Sequence, residues 1–298
     1  MNVSKLILLC VVVSVVGLTS TLEVRASVSD PIIADLQAKL LIAGFSPGPA
    51  DGYWGGKTEA ALKAFQEAGG LPSSGRLDAE TAARLEIDIP GTEGTPQDIH
   101  DLIDAGKVEV KASARAMDLV GIELRSGRPY SISVRIPLGT YFTAGSPDLQ
   151  NMLTTKEVIR SLNSEDWVSI SIQAASTDRQ RGIPGGDVRL KVQKLPGTSE
   201  LPKLFPVFSS SGASYPVLQA AIWIVTDNST FEELAVLIQS QDGFSATRSI
   251  NEPEVARAMR ICSEAGIDIK ARKIWSDRAT IRGELADETL KEWLEQDP

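Results

Sequence analysis

Apolar positions along the chain recur first at helical spacing, then alternate, then return to helical spacing. In residues 31–43, Ile33, Leu36 and Leu40 are three and four apart and share one helical face. Asp30 is a good N-cap residue, and Pro31 stands in the first turn, where a missing N–H is tolerated. Gly44 and the run Ser46-Pro47-Gly48-Pro49 end this helix. After the turn signature Asp51-Gly52, a second helix is predicted from about residue 57 to 68, with Ala61, Phe65 and Ala68 inward. Gly69-Gly70 stops it. Asp78 caps a short third helix carrying Ala82 and Leu85.

The stretch 88–98 is rich in Pro, Gly and Thr without periodicity and reads as a linker. Beyond it the period becomes two. Strands are predicted over 120–124 and 130–136, separated by the turn Ser126-Gly127-Arg128-Pro129. In residues 167–173, Trp167, Ser169, Ser171 and Gln173 take one face and Val168, Ile170 and Ile172 the other; Val188, Leu190 and Val192 alternate likewise. One-sided strands of this kind suit an antiparallel sheet or sandwich with one wet face. After Gly212 the helical period returns: Val217, Ala220, Ala221, Ile224 and Val225 mark a buried helix. Further helices are predicted over 231–239, 254–265 and 287–294. The fold class expected is therefore two domains: an all-α three-helix unit at 31–87, then an α+β domain over 100–298.

Residues 6–18 form an apolar run broken only by Ser14 and Gly17, preceded by Lys5. It is too short to cross ~30 Å of hydrocarbon as a helix. With Val24-Arg25-Ala26 as a small-x-small cleavage site, residues 1–26 are expected to be a signal peptide, leaving no transmembrane segment in the mature chain. Cys10 falls within this leader after Leu9, where lipidation needs a small residue, so Cys262 is left alone and no internal disulfide is expected. Lys and Arg total 30 against 39 Asp and Glu, a net charge of −9. That balance argues against a nucleic acid partner, because nucleic acid is bound through clustered cations.

A compound pattern runs through the helical unit: Leu36-Gln37-x-x-Leu40, Gly44-Phe45, Asp51-Gly52-Tyr53-Trp54-Gly55, Thr58, Ala61, Phe65-Gln66, Gly75, Leu77-Asp78 and Thr81. It resembles the three-helix peptidoglycan-binding domain carried by wall hydrolases, without insertion over 31–86. The resemblance implies a non-catalytic module that docks its carrier onto murein. From the residues themselves, Leu36, Leu40, Leu62 and Phe65 are core, and Gln37 and Gln66 are braces across loops. Gly52 and Gly55 meet the backbone demands of a tight turn. Exposed amides, an aromatic and a helix N-terminus converge between residues 51 and 58, and helix N-termini receive carboxylates well. Asp51, Gly52, Tyr53, Trp54, Lys57 and Thr58 are therefore the expected contacts to peptidoglycan, whose stem peptides carry free carboxylates.

Peptidoglycan-binding modules often accompany an enzyme, and the residue inventory narrows which kind. Zinc hydrolases need several His or Cys ligands, and this chain has one histidine, His100, and no metal site or cofactor is expected. A Ser-His-Asp triad would have only His100 as its base. Cys262 lies in Arg260-Ile261-Cys262-Ser263, with no histidine nearby, and reads as an inert thiol. A carboxylate-dependent glycosidase needs only two acids and stays open as an alternative. Leu218-Gln219-Ala220-Ala221-Ile222-Trp223 resembles the Gln-x-Ala-Ile-Trp-like segment of bacterial thioester adhesins. It has Leu218 in place of threonine, and no cysteine lies between Ala26 and Cys262. An adhesin of that kind lacking its cross-link is the other alternative. Two basic segments, 179–186 and 270–278, could contact anions or simply close a hairpin loop and a helix end. The expectation is an exported, periplasmic or extracellular wall-associated protein. It binds peptidoglycan through its first domain and presents a non-catalytic second domain to a protein or glycan partner.

Overall fold

The computed structural model describes residues 29–89, 96–163, 165–186, 188–235 and 250–296. The expected leader and the predicted helical residues 236–239 lie outside the described residues.

The N-terminal unit comprises α1 (Pro31–Ile42), α2 (Gly56–Ala68) and α3 (Ala79–Arg84). Asp30 caps α1 by accepting from the Ile32 amide at 3.0 Å. Leu36, Leu40 and Leu62 are fully buried between the helices. On α2 the inward face runs through Thr58, Ala61, Leu62 and Gln66, so Ala68 is exposed rather than inward. Phe65 is partly buried and meets Phe45 edge to face at 5.6 Å.

The next elements are β1 (Gln97–Asp98), α4 (Ile99–Asp104), β2 (Val108–Ala116), β3 (Leu119–Ser126), β4 (Ile132–Ile136), β5 (Tyr141–Thr143), β6 (Met152–Thr154), β7 (Val158–Leu162), β8 (Val168–Ser176) and β9 (Arg189–Gln193). Six of these strands close a barrel in the order β2-β3-β8-β6-β5-β9, every neighbouring pair antiparallel. Closure leaves no unpaired edge and turns Val120, Ile122, Leu124, Phe142, Ile170 and Ile172 inward. The remaining strands form a small mixed sheet, β1-β4-β7, with β1 parallel to β4. Of the stretch 88–98, Ile89 is buried and Gln97-Asp98 lie in that sheet, while residues 90–95 are outside the described residues.

The chain then turns helical: α5 (Phe205–Ser211), α6 (Tyr215–Thr226), α7 (Phe231–Leu234), α8 (Glu252–Glu264), α9 (Arg278–Gly283) and α10 (Glu288–Glu295). Every residue of α6 from Tyr215 to Ile224 is buried, since the helix packs against β8 on one side and α8 on another. The order of a helical unit, a β-rich domain and then helices is the two-domain layout expected.

The two domains meet through a polar seam laid over a continuous apolar core that includes Leu36, Leu77, Tyr130 and Ile132. The predicted strand 130–136 begins at Ile132; Tyr130 instead bridges to Leu77, and the Leu77 amide donates to the Pro129 carbonyl at 2.7 Å. The Tyr130 hydroxyl donates to the Asp30 carboxylate, and Arg128 lies 3.5 Å from the same group. Burial, then the Asp30 hydrogen bond and charge, push the Tyr130 hydroxyl far above its usual range, so it remains a donor.

Candidate functional site

The two glutamines of the helical unit perform one task twice. The Gln37 side-chain oxygen accepts from the Gly52 amide at 2.9 Å; its nitrogen donates to the Tyr53 carbonyl at 3.0 Å, Thr58 Oγ1 at 3.1 Å and Asp51 Oδ1 at 3.3 Å. The Gln66 oxygen accepts from the Gly75 amide at 2.9 Å; its nitrogen donates to the Arg76 carbonyl at 2.9 Å, Thr81 Oγ1 at 3.1 Å and Ser74 Oγ at 3.2 Å. Both glutamines are buried, and both glycines have positive φ, +78° and +68°. A Cβ on Gly52 would meet Ser29 Oγ at 2.3 Å and the Asp30 carbonyl at 2.8 Å, so no other residue fits that turn. Each turn thus has the frame Gly-x-x-x-x-x-Thr-x-x-x-Leu, carried by Gly52, Thr58 and Leu62 and by Gly75, Thr81 and Leu85.

The copies differ where each helix begins. Asp78 caps α3, accepting from the Thr81 amide at 2.8 Å. The equivalent position before α2 is Gly55, which gives no side-chain cap. Amides in the first turn of a helix lack partners within it, and here Gly55, Gly56 and Lys57 are all exposed. The surroundings differ in the same sense. Arg76 and Leu77 of the second copy are taken up by the barrel: Arg76 donates to the Arg128 carbonyl at 3.0 Å and approaches Glu165 at 3.6 Å. Tyr53, the counterpart of Arg76, is 46% exposed.

The six residues singled out in the sequence therefore divide. Tyr53 and Lys57 lie open beside the bare helix start, while Trp54 is partly buried and packs against the core. Thr58 and Gly52 are buried and committed to the Gln37 brace, and Thr58 Oγ1 also donates to the Pro47 carbonyl at 3.1 Å. Asp51, exposed, accepts from Gln37 and from the Tyr53 amide at 3.0 Å, fixing the turn. Gly55 and Gly56 escaped the sequence reading as site residues; comparing Gly55 with Asp78 in the repeated frame is the signal that finds them.

The groups considered for catalysis in the second domain are engaged in holding it together. His100 Nδ1 lies 2.8 Å from Asp98 Oδ1 and Nε2 lies 3.0 Å from the Gln193 carbonyl, ring contacts that tie α4 to β9. Cys262 is buried with Sγ 3.7 Å from the Ala221 carbonyl, and burial pushes its thiol up to about 12. Gln219 is buried and engaged at both ends of its amide: its nitrogen donates to the Ser176 carbonyl at 2.8 Å, and its oxygen accepts from the Ser176 amide and the Tyr215 hydroxyl, each at 2.9 Å. It clamps α6 to the end of β8. Among the described residues no group of three His, Cys, Asp or Glu side chains is placed to hold a metal ion, and no helix is long and apolar enough to cross a membrane.

No curated protein and no solved structure was found to match the chain. Residues 29–85 match the family model described as "Putative peptidoglycan binding domain", and the helical unit with its two braced turns is accordingly a peptidoglycan-binding domain.

Proposed function

We propose that the chain is an exported wall protein that holds peptidoglycan non-covalently at the start of α2 and presents residues 100–298 as a non-catalytic module. The uncapped N-terminus of α2 carries this reading, because it leaves amides and the positive end of a 13-residue helix open to a carboxylate. Gln37 holds the preceding turn rigid, Tyr53 offers an aromatic surface, and Lys57 adds a cation beside the incoming anion. Asp51, Gly52 and Thr58 act by positioning, and Trp54 anchors the turn to the core. The second domain gains from this by effective concentration: a weak wall site keeps its partner-binding surface, for a protein or glycan, within the envelope. The engaged states of His100, Cys262 and Gln219 support the non-catalytic reading of that module.

The test is sedimentation of the chain with purified murein sacculi, with the supernatant analysed for released muropeptides. Wild type should sediment, Tyr53→Ala with Lys57→Ala should remain in solution, and the supernatant should hold no released sugar or peptide. Released fragments would overturn the non-catalytic assignment, and equal sedimentation of the variant would overturn the site.

A further inference from the structure

The outer face of the barrel carries an arrangement that the helical domain does not explain. In a chain of net charge −9, β2, β3 and β9 turn five cations outward, Lys111, Arg115, Arg125, Arg189 and Lys191, with two carboxylates among them, Glu109 and Glu123. Glu109 closes on Arg125 at 2.8 Å, and Glu123 approaches Lys111 at 3.9 Å. Among the described residues Arg115, Arg189 and Lys191 have no carboxylate partner. All three line one cleft of about 620 Å³.

The floor of this cleft is bare by construction. Gly121 pairs with Ser171 on one side and Ser113 on the other, so a row of small side chains crosses the sheet and ends at Arg189, opposite Ser113. Arg115 is the extra residue of a β-bulge: Ala114 pairs with Val120 and Ala116 with Leu119, leaving Arg115 unopposed. Bulges re-aim a side chain, and this one lays Arg115 across Gly121, where an added Cβ would come within 2.5 Å of the arginine Nε. At the end of the same face, Lys111 and Arg125 stand 3.7 and 4.8 Å from the centre of the Trp167 ring. Trp167 is two residues from Glu165, the partner of Arg76 in the peptidoglycan-binding domain. The cationic face therefore adjoins the seam between the two domains.

We infer that this cleft is a second anion-binding surface, which takes carboxylates of the wall polymer held by residues 29–85. The identity of the polymer rests on the peptidoglycan reading above; the affinity for carboxylates rests on the barrel alone. Exposed charge pairs contribute little individually and are screened by salt. The cleft therefore acts by avidity, adding to the site of the first domain rather than replacing it.

The experiment uses the full chain and the variant Arg115→Gln/Arg189→Gln/Lys191→Gln, in which all three positions are exposed and the fold is checked by circular dichroism. On immobilised polyglutamate at about 0.05 M salt the wild type should be retained, with affinity about tenfold above that of the variant, and the difference should vanish at about 0.5 M. Gly121→Ser, which displaces Arg115 without removing charge, should fall between them. On murein sacculi the triple variant should bind several-fold more weakly at low salt and equally at high salt. Equal retention of wild type and triple variant on polyglutamate would overturn the cleft and leave the peptidoglycan reading standing. Retention on polyglutamate with no sedimentation of the wild type on sacculi would overturn the wall as the polymer, and with it the reading of the first domain.

Discussion

The two glutamine-braced turns of the first domain share a hydrogen-bond pattern almost atom for atom, yet one is closed and the other open. Around Gly75 the helix start is capped by Asp78, and the residues of the turn, Arg76 and Leu77, are consumed in the seam with the barrel. Around Gly52 the corresponding cap is a glycine, and the corresponding residue, Tyr53, faces solvent. We propose that one scaffold serves as a structural joint in one copy and as the wall receptor in the other. A single side chain at the N-cap position, present in Asp78 and absent in Gly55, marks the difference.

The comparison breaks most visibly if the braces are unequal. Gln37→Ala and Gln66→Ala each strand a buried glycine amide and take a donor from a buried threonine hydroxyl, and each should cost about 2–4 kcal/mol in chemical denaturation. Tyr130→Phe tests the joint alone. It removes a buried donor from the Asp30 carboxylate and should cost about 1.5–3 kcal/mol, read as a lowered thermal midpoint with sacculus binding retained. A charged cap can also be followed by pH. Burial pushes the Asp98 carboxyl up, but the His100 amide and ring and Arg135 at 3.1 Å outweigh it, holding the group below its ordinary 3.8. A carboxyl depressed in the folded state stabilises above its unfolded value and loses that contribution as pH falls through the folded one. In denaturant titrations across pH, Asp98→Asn should therefore be less stable than wild type near neutral pH, with a flatter acid limb, the two curves converging as pH falls. The smallest effect is expected from Asp78→Gly, which gives the closed copy the open copy's cap at a cost of a few tenths of a kcal/mol. It should create no second wall site, because Arg76 and Leu77 stay covered by the barrel.

What the sequence disclosed and what it withheld follow from how local each feature is. Helices α1 to α3 are written in spacings of three and four, and α6 and α8 are equally plain. The alternating runs of β3 and β8 gave strand faces, but nothing local says that β9 returns to pair with both β2 and β5 and closes the barrel. Tyr130 reads as the first inward residue of a strand; its actual partner is Asp30, 100 positions earlier. Gln37 and Gln66 read as braces across loops, but the equivalence of their two turns was hidden, because the glutamines stand at unequal distances, 15 and 9 residues, from their glycines. The six candidate residues were found as a cluster, but their division into open and committed groups depends on burial, which spacing does not encode.

The central claim is that the open start of α2 is the receptor, and Gly55→Asp tests it most directly. Gly55 has an extended backbone that any residue adopts, and a Cβ there meets nothing within 4 Å. The substitution gives α2 the cap that α3 already has, placing a carboxylate where the ligand's would sit. The account predicts a variant at least as stable as wild type that no longer sediments with murein sacculi. Undiminished sedimentation of a folded Gly55→Asp chain would contradict it.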